Sequence, residues 1–517
     1  MSANSAGRVL MIALDAAEPS LVEKWMDEGL LPNLRRLRDQ GSSGRLSTSA
    51  DWLAGSPWPT FYTGTTPAEH GIYHILQWQP DRMTFGRPSP EWLPLRPFWR
   101  DLGQNGRRVI ALDLPMTYPP EPISGVEISG WATHDLLSPA ASYPEEILSW
   151  VRRQLGPSPM REEVGGLQRP KGLLHLRDEL IRATTLVADL AENLMRREAW
   201  DLFVMGFGAT HRGGHKLWSL TGVEGSVHPE ERRALSHALR DIYVACDAAV
   251  GKLVEASSAS NVLVFSLHGM GPNTDRSNLV PAMLSRILDE RTESPTAPPA
   301  GLLRRMRKLV PLEWRSRVKG LLPPALQDRL TLFWRKDNMQ WDRMPALGLI
   351  ADLQGYVRIN LRQREAAGIV PPGKEYERLC DRIAQGLLTF VDADTGKTVV
   401  DRVLRIDELY SEGTRRDHLP DLIVRWTDTP AADHRALVSP LYGTIDWPTP
   451  GQNPDGRSGN HRPQGFFIAA GEDIRPASVV DGGHIVDLAP TALALLGVPQ
   501  PSNMRGKVLS VVGKGST

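Results

Sequence analysis

Leu202-Phe203-Val204-Met205-Gly206-Phe207-Gly208-Ala209-Thr210-His211-Arg212-Gly213-Gly214-His215-Lys216-Leu217-Trp218 is the stretch whose reading decides the fold. It opens with an unbroken apolar run of strand length, the pattern of a strand buried on both faces of a parallel sheet. The run ends at Gly208, and His211 and His215 follow four residues apart. On a helical turn that spacing puts both imidazoles on one face, where they can grip a single metal ion. Two surface histidines would be the plainer account. The glycines that clear space around the rings favour the metal.

Outward from this segment, short aliphatic or β-branched runs recur at Val9 to Leu14, Val109 to Leu112, Val262 to Phe265, Leu422 to Trp426 and Gly465 to Ala469. Helical patterns separate them; Ser20 to Gln40 reads as one helix, with Leu21, Trp25, Leu34 and Leu37 near helical spacing and Gly41 as a stop. Strand and helix in alternation predict an α/β fold, a doubly wound and mostly parallel sheet flanked by helices. In such sheets ligands sit beyond the carboxyl ends of the strands, where Asp15, Gly208 to His215 and Ser266 to Met270 would emerge. Residues 285–345 differ, with Pro-rich punctuation followed by a stretch from Leu302 to Lys319 rich in Arg and Lys. They read as a smaller helical insert with a solvated basic face, leaving 1–284 and 346–517 as the metal-binding core.

Composition narrows the partners. Sixty basic and sixty acidic side chains give a formal net charge of zero, which supplies no broad field for nucleic acid or an anionic membrane. Cys246 and Cys380 are the only cysteines, so neither a disulfide framework nor a CxxC site is expected, and the compartment reads as reducing. The apolar run at Val9 is too short for a signal peptide or a membrane span. The expectation is a soluble, cytoplasmic protein that acts on a small anionic molecule.

Further ligand candidates stand at other strand ends. Asp15 directly follows Met11-Ile12-Ala13-Leu14, where a carboxylate can serve as a hard oxygen ligand, although an ordinary helix cap would look the same. His268 lies in Phe265-Ser266-Leu267-His268-Gly269-Met270-Gly271, and His461 in Ser458-Gly459-Asn460-His461-Arg462-Pro463. Both sit in polar or Gly-rich loops, not in the apolar surroundings of a core histidine, so coordination is the better reading. Zn²⁺ suits a histidine-rich set best, with Mn²⁺ or Fe²⁺ also compatible.

The order of these motifs resembles the alkaline phosphatase superfamily, in particular its type I phosphodiesterase/nucleotide pyrophosphatase branch and the related phosphohydrolase/phosphomutase proteins. The matching stretches are Ala13-Leu14-Asp15, Thr63-Gly64-Thr65-Thr66-Pro67-Ala68-Glu69-His70-Gly71-Ile72, Ser266-Leu267-His268-Gly269-Met270 and His461-Arg462-Pro463-Gln464-Gly465. Asp487-Leu488-Ala489-Pro490-Thr491, with Leu496-Gly497-Val498-Pro499, resembles the closing strand and helix. The resemblance implies a two-metal hydrolase. One site would use His215, His461 and, in place of the family's Asp, His211. That makes three histidines, a ligand set that generates zinc hydroxide near neutral pH. The second site keeps Asp15 and His268 but has Leu267 where the family has Asp, so a second metal is expected to be weak or missing. At the nucleophile position the chain has Ala54. Ser56 is the nearest hydroxyl, with an N-cap as its simpler role since Pro57 suits the first helical position, and Thr60 is a poorer substitute.

Three functions follow. The leading one is a hydrolase of a phospho- or sulfo-ester with one metal per chain, in which Arg212, Lys216 and Arg462 hold the anion and Asp15 and His268 act as acid, base or orienters. The second is a two-metal phosphodiesterase with Ser56 as nucleophile. The third is a transferase or binding protein that has kept the fold without the hydrolysis.

Overall fold

Val9–Leu14 and Leu202–Phe207 lie side by side in parallel, Val9 opposite Leu202 and Leu14 opposite Phe207, at the centre of a nine-stranded sheet. The computed structural model describes residues 7–133, 139–160, 166–288, 342–448, 450–453, 455–476 and 478–513. In spatial order the sheet runs Ser478–His484, Ser42–Ser47, Gln464–Gly471, Asn261–Ser266, Val9–Leu14, Leu202–Phe207, Val109–Leu112, Gly125–Ser129 and Ala141–Tyr143. The five strands from Asn261–Ser266 to Gly125–Ser129 are mutually parallel. Antiparallel strands flank them, Gln464–Gly471 on one side and Ala141–Tyr143 on the other.

The central strands read as continuous apolar runs because both their faces are covered. Leu10, Ile12 and Leu14 point into one core with the long helices Pro170–Arg197 and Pro229–Ser257. Val9, Met11 and Ala13 point into the other, against the helices Pro57–Thr63 and Leu488–Leu495. Each large apolar side chain buried this way contributes about 1.5–3 kcal/mol.

Two expectations are corrected. The helix read from Ser20 to Gln40 is two helices, Pro19–Asp27 and Pro32–Gln40. Gly29 turns the chain at φ 76° and Pro32 fits only the first turn of a new helix, so apolar spacing continued across a break. Leu422–Trp426 is a buried strand, but it belongs to a separate antiparallel sheet ordered Ala346–Gly348, Gly355–Ile359, Leu422–Trp426, Val400–Arg405. This sheet and the helices Val280–Ile287 and Lys374–Leu387 share a core of their own.

A bridging cluster that includes Leu53, Tyr73, Trp78, Tyr356 and Ile423 ties the second sheet to the loops at the carboxyl end of the first. Trp78 reinforces it, donating from Nε1 to Glu365 Oε2 at 2.7 Å. Most of the expected insert, residues 289–341 including the basic stretch from Leu302 to Lys319, lies outside the described residues. Cys246 and Cys380 are both free and buried. No helix among the described residues is long and apolar enough to cross a membrane.

Candidate metal centre and active-site cleft

At the end of its strand Asp15 is 3% exposed and held from four directions. Its backbone N–H donates to Phe207 O at 3.1 Å, and its carbonyl accepts from Thr210 Oγ1 at 2.6 Å. Of the carboxylate oxygens, Oδ1 accepts from Trp58 Nε1 at 3.1 Å and Oδ2 meets His211 Nδ1 at 2.9 Å. The next residue, Ala16, sits at φ 54° and is fully buried, a strained conformation of the kind that clusters at functional sites.

His211 and His215 lie on the helix Ala209–Leu217 and share a face, as their spacing requires. Their Nε2 atoms are 2.9 Å apart, and His461 Nε2 is 3.2 Å from that of His211. His215 Nδ1 lies 2.9 Å from Gly459 O. Two glycines allow this approach. A Cβ at Gly214 would stand 2.7 Å from Met270 Cγ, and one at Gly459 would stand 2.2 Å from Gly214 O. The helix therefore presses directly onto the paired strands Gly269–Pro272 and Gly459–Arg462, which carry His461 inward.

His268 joins the cluster with its ring centroid 4.3 Å from that of His461 and 6.0 Å from that of His211. Ligand atoms of His211, His268 and His461 lie within 4.8 Å of one another, an alternative set of three. In the set of His211, His215 and His461, the two outer Nε2 atoms stand 2.9 and 3.2 Å from that of His211. Burial, reinforced by the Arg457 cation, holds His215 well below the ordinary histidine pKa. Burial does the same for His461, followed by its neighbours His268 and His211.

The positions where the chain departs from the superfamily pattern are equally defined. Leu267 is packed in the apolar core with Phe265 and Trp58. Ala54 lines the cleft beside the histidines. Ser56 occupies the N-cap position before Pro57, but its hydroxyl makes no cap bond. It is fully buried, 2.7 Å from both Ser49 Oγ and Leu53 O, and Ser49 continues through Thr60 Oγ1 (3.2 Å) to His70 Nε2 (3.1 Å). His70 Nδ1 accepts from the Ile72 N–H, so Nε2 carries the proton and donates into this chain. Burial pushes the His70 pKa down to about 3, which keeps the ring neutral.

The histidines open into a cleft of about 530 Å³, and its polar lining differs in part from the sequence reading. Arg212, Lys216 and Arg462 are not among the residues that line it. Lys216 Nζ donates to Asp455 O at 3.1 Å, and Arg462 pairs with Asp428 at 2.5 Å. The charged residues that line the cleft are Arg87, Glu91, Arg100, Asp352 and Arg457; Arg457 and Asp352 are 3.8 Å apart, and His74 Nε2 lies 3.0 Å from Asp352 Oδ2. Burial opposes ionisation of Asp352, but His74 and Arg457 hold its carboxyl below the usual carboxylate range. Arg457 stands four residues before His461 in the same loop and was legible from that proximity; Asp352 carried no motif.

The family model described as type I phosphodiesterase / nucleotide pyrophosphatase matches residues 9–429. Among solved structures, phosphonoacetate hydrolase from Sinorhizobium meliloti 1021 in complex with phosphonoformate aligns with a TM-score of 0.53 and 14% identity, covering 95% of this chain and 96% of that one. This likeness establishes the fold. Human ectonucleotide pyrophosphatase / phosphodiesterase 5 aligns with a TM-score of 0.49 and 12% identity over 97% of each chain. A 2,3-bisphosphoglycerate-independent phosphoglycerate mutase of Ectopseudomonas mendocina (strain ymp) is 49% identical over 43 residues, only 8% of either protein. With the match running from the Asp15 strand through the second sheet, the chain belongs to the type I phosphodiesterase / nucleotide pyrophosphatase family, a family of phosphoester hydrolases.

Proposed function

We propose that the chain hydrolyses a phosphoester with one divalent cation per protein, held by His211, His215 and His461. The observation that carries this reading is that the Nε2 atoms of His215 and His461 both stand against that of His211, at 2.9 and 3.2 Å. His211 Nδ1 faces a carboxylate and His215 Nδ1 faces a carbonyl, so both carry their protons there and turn bare Nε2 lone pairs toward one point. Bare nitrogens facing one another repel, and a cation between them removes the repulsion. Tetrahedral coordination at about 2.0–2.1 Å would set ligand nitrogens roughly 3.3 Å apart, close to the two separations from His211.

A divalent ion there, zinc for preference, supplies Lewis-acid polarisation of the phosphoryl oxygen and acidifies a water. The protein's own residues do the rest. Asp15 fixes the tautomer and direction of His211, as carboxylates behind ligating histidines do. Arg457 offers the cleft a cation for the substrate's anionic group. His268, with its ring 4.3 Å from that of His461, would move a proton on the reacting side.

The two-metal alternative requires Ser56 as nucleophile. Ser56 Oγ faces Ser49 and Leu53 O, away from the cleft, and Leu267 supplies no second carboxylate, so the single-metal reading is preferred. His215→Ala tests it. Loss of bound metal together with phosphoesterase activity is expected; an active variant without its metal refutes the proposal.

A further inference from the structure

The cleft extends well beyond the histidines, and its far wall differs chemically from the metal end. In sheet order the strand that leads to His211 is followed by Val109–Leu112 and then Gly125–Ser129. Strands lie ~4.8 Å apart, so the loops after these two reach about 5 and 10 Å farther along the same rim. The first brings Leu114, Pro115, Met116 and Pro119 into the cleft and the second brings Gly130 and Thr133; Pro88 and Leu93 also line it, with Arg87 and Glu91 beside them.

This wall is built, not incidental. Asp113 and Met116 hold positive φ values of 53° and 61°. Tyr62 OH donates to Met116 O at 3.2 Å, and Thr117 Oγ1 donates to Leu114 O at 2.8 Å. Arg100 ties the loop down, donating to Thr117 O at 2.7 Å and Pro119 O at 2.9 Å while pairing with Glu121 and Glu127. Its guanidinium therefore serves the wall and does not reach for an anion. At the far strand end, Ser129 lines the cleft, is 2% exposed, and its Oγ has no hydrogen-bond partner among the described residues. A buried hydroxyl left unsatisfied costs free energy unless a ligand completes it.

We propose that the organic group of the ester is a largely apolar moiety of aryl size that packs on Leu114, Pro115 and Met116, with a hydrogen-bonding group at its far end that meets Ser129 Oγ. This rests on the phosphoester reading of the metal end. The test measures binding, separately from turnover. Zinc-loaded protein is titrated calorimetrically with methylphosphonate, phenylphosphonate and 4-(hydroxymethyl)phenylphosphonate. Phenylphosphonate should bind at least about tenfold more tightly than methylphosphonate. That advantage should vanish in Met116→Asp. The hydroxymethyl group should add roughly three- to tenfold, lost in Ser129→Ala. Methylphosphonate is titrated into all three proteins as the reference, and the phenyl and hydroxymethyl gains are read as ratios to it in each. Equal affinity for methyl- and phenylphosphonate, or a phenyl advantage that survives Met116→Asp, overturns the apolar subsite and leaves the phosphoester reading standing. Binding of none of the three sinks both.

Discussion

The imidazole of His211 meets the carboxylate of Asp15 at 2.9 Å, joining the end of one central strand to the helix that follows its parallel neighbour. The sequence resemblance implies that Asp15 is a direct ligand of a second metal. Here one of its oxygens faces His211 and the other accepts from Trp58, and under the proposed function it orients His211. The strained Ala16 beside it, at a cost of about 1–3 kcal/mol, shows how closely the backbone is held there.

Asp15→Asn should weaken metal affinity by about 10–100-fold while the fold survives, because an amide nitrogen must face either the Trp58 N–H or the His211 N–H. Competition with a chelator reads this directly. An unchanged affinity would mean that Asp15 does not act through His211.

Ser56→Ala should keep activity within about twofold and lose about 1 kcal/mol of stability, the worth of one buried hydroxyl in the Ser49–Thr60–His70 chain. Kinetics and denaturant melts check the two halves. A dead but folded variant, or a covalent adduct on Ser56, would restore the two-metal mechanism.

Arg457→Ala should raise KM for a phosphoester by about tenfold or more without removing metal, since the side chain lines the cleft beside the histidines. An unchanged KM would place the anion elsewhere.

Asp113 supplies a pH prediction. Burial raises its pKa from 3.8 to about 7, against the backbone N–H groups of Trp131, Ala132 and Gly130 that favour the anion. The folded state thus binds this proton more tightly than the unfolded chain. The contribution is fully present below pH ~4 and is lost as pH rises towards about 7. Asp113→Asn should flatten the change in thermal midpoint between pH 5 and pH 7.5. An identical pH slope in both proteins would contradict the shift.

Much of the architecture was legible because central parallel strands are buried on both faces. Val9–Leu14, Leu202–Phe207 and the run at Val262 announce themselves as uninterrupted apolar segments. Leu422–Trp426 has the same signature in a different sheet: burial leaves a mark in sequence, whereas strand partners do not. The clustering of the histidines was legible for a related reason, since they follow strand ends and two of them share a helical turn. What escaped was assembled by tertiary contact. The apolar packing of Leu267, the inward hydroxyl of Ser56 and the arrival of Asp352 from the second sheet's edge all depend on residues far away in the chain.

The most direct test is the metal content per chain, measured by plasma mass spectrometry on the wild type and on His215→Ala. One divalent ion in the wild type and none in the variant is the predicted result. Two ions in the wild type, or one retained by the variant, would contradict a single site built on His211, His215 and His461.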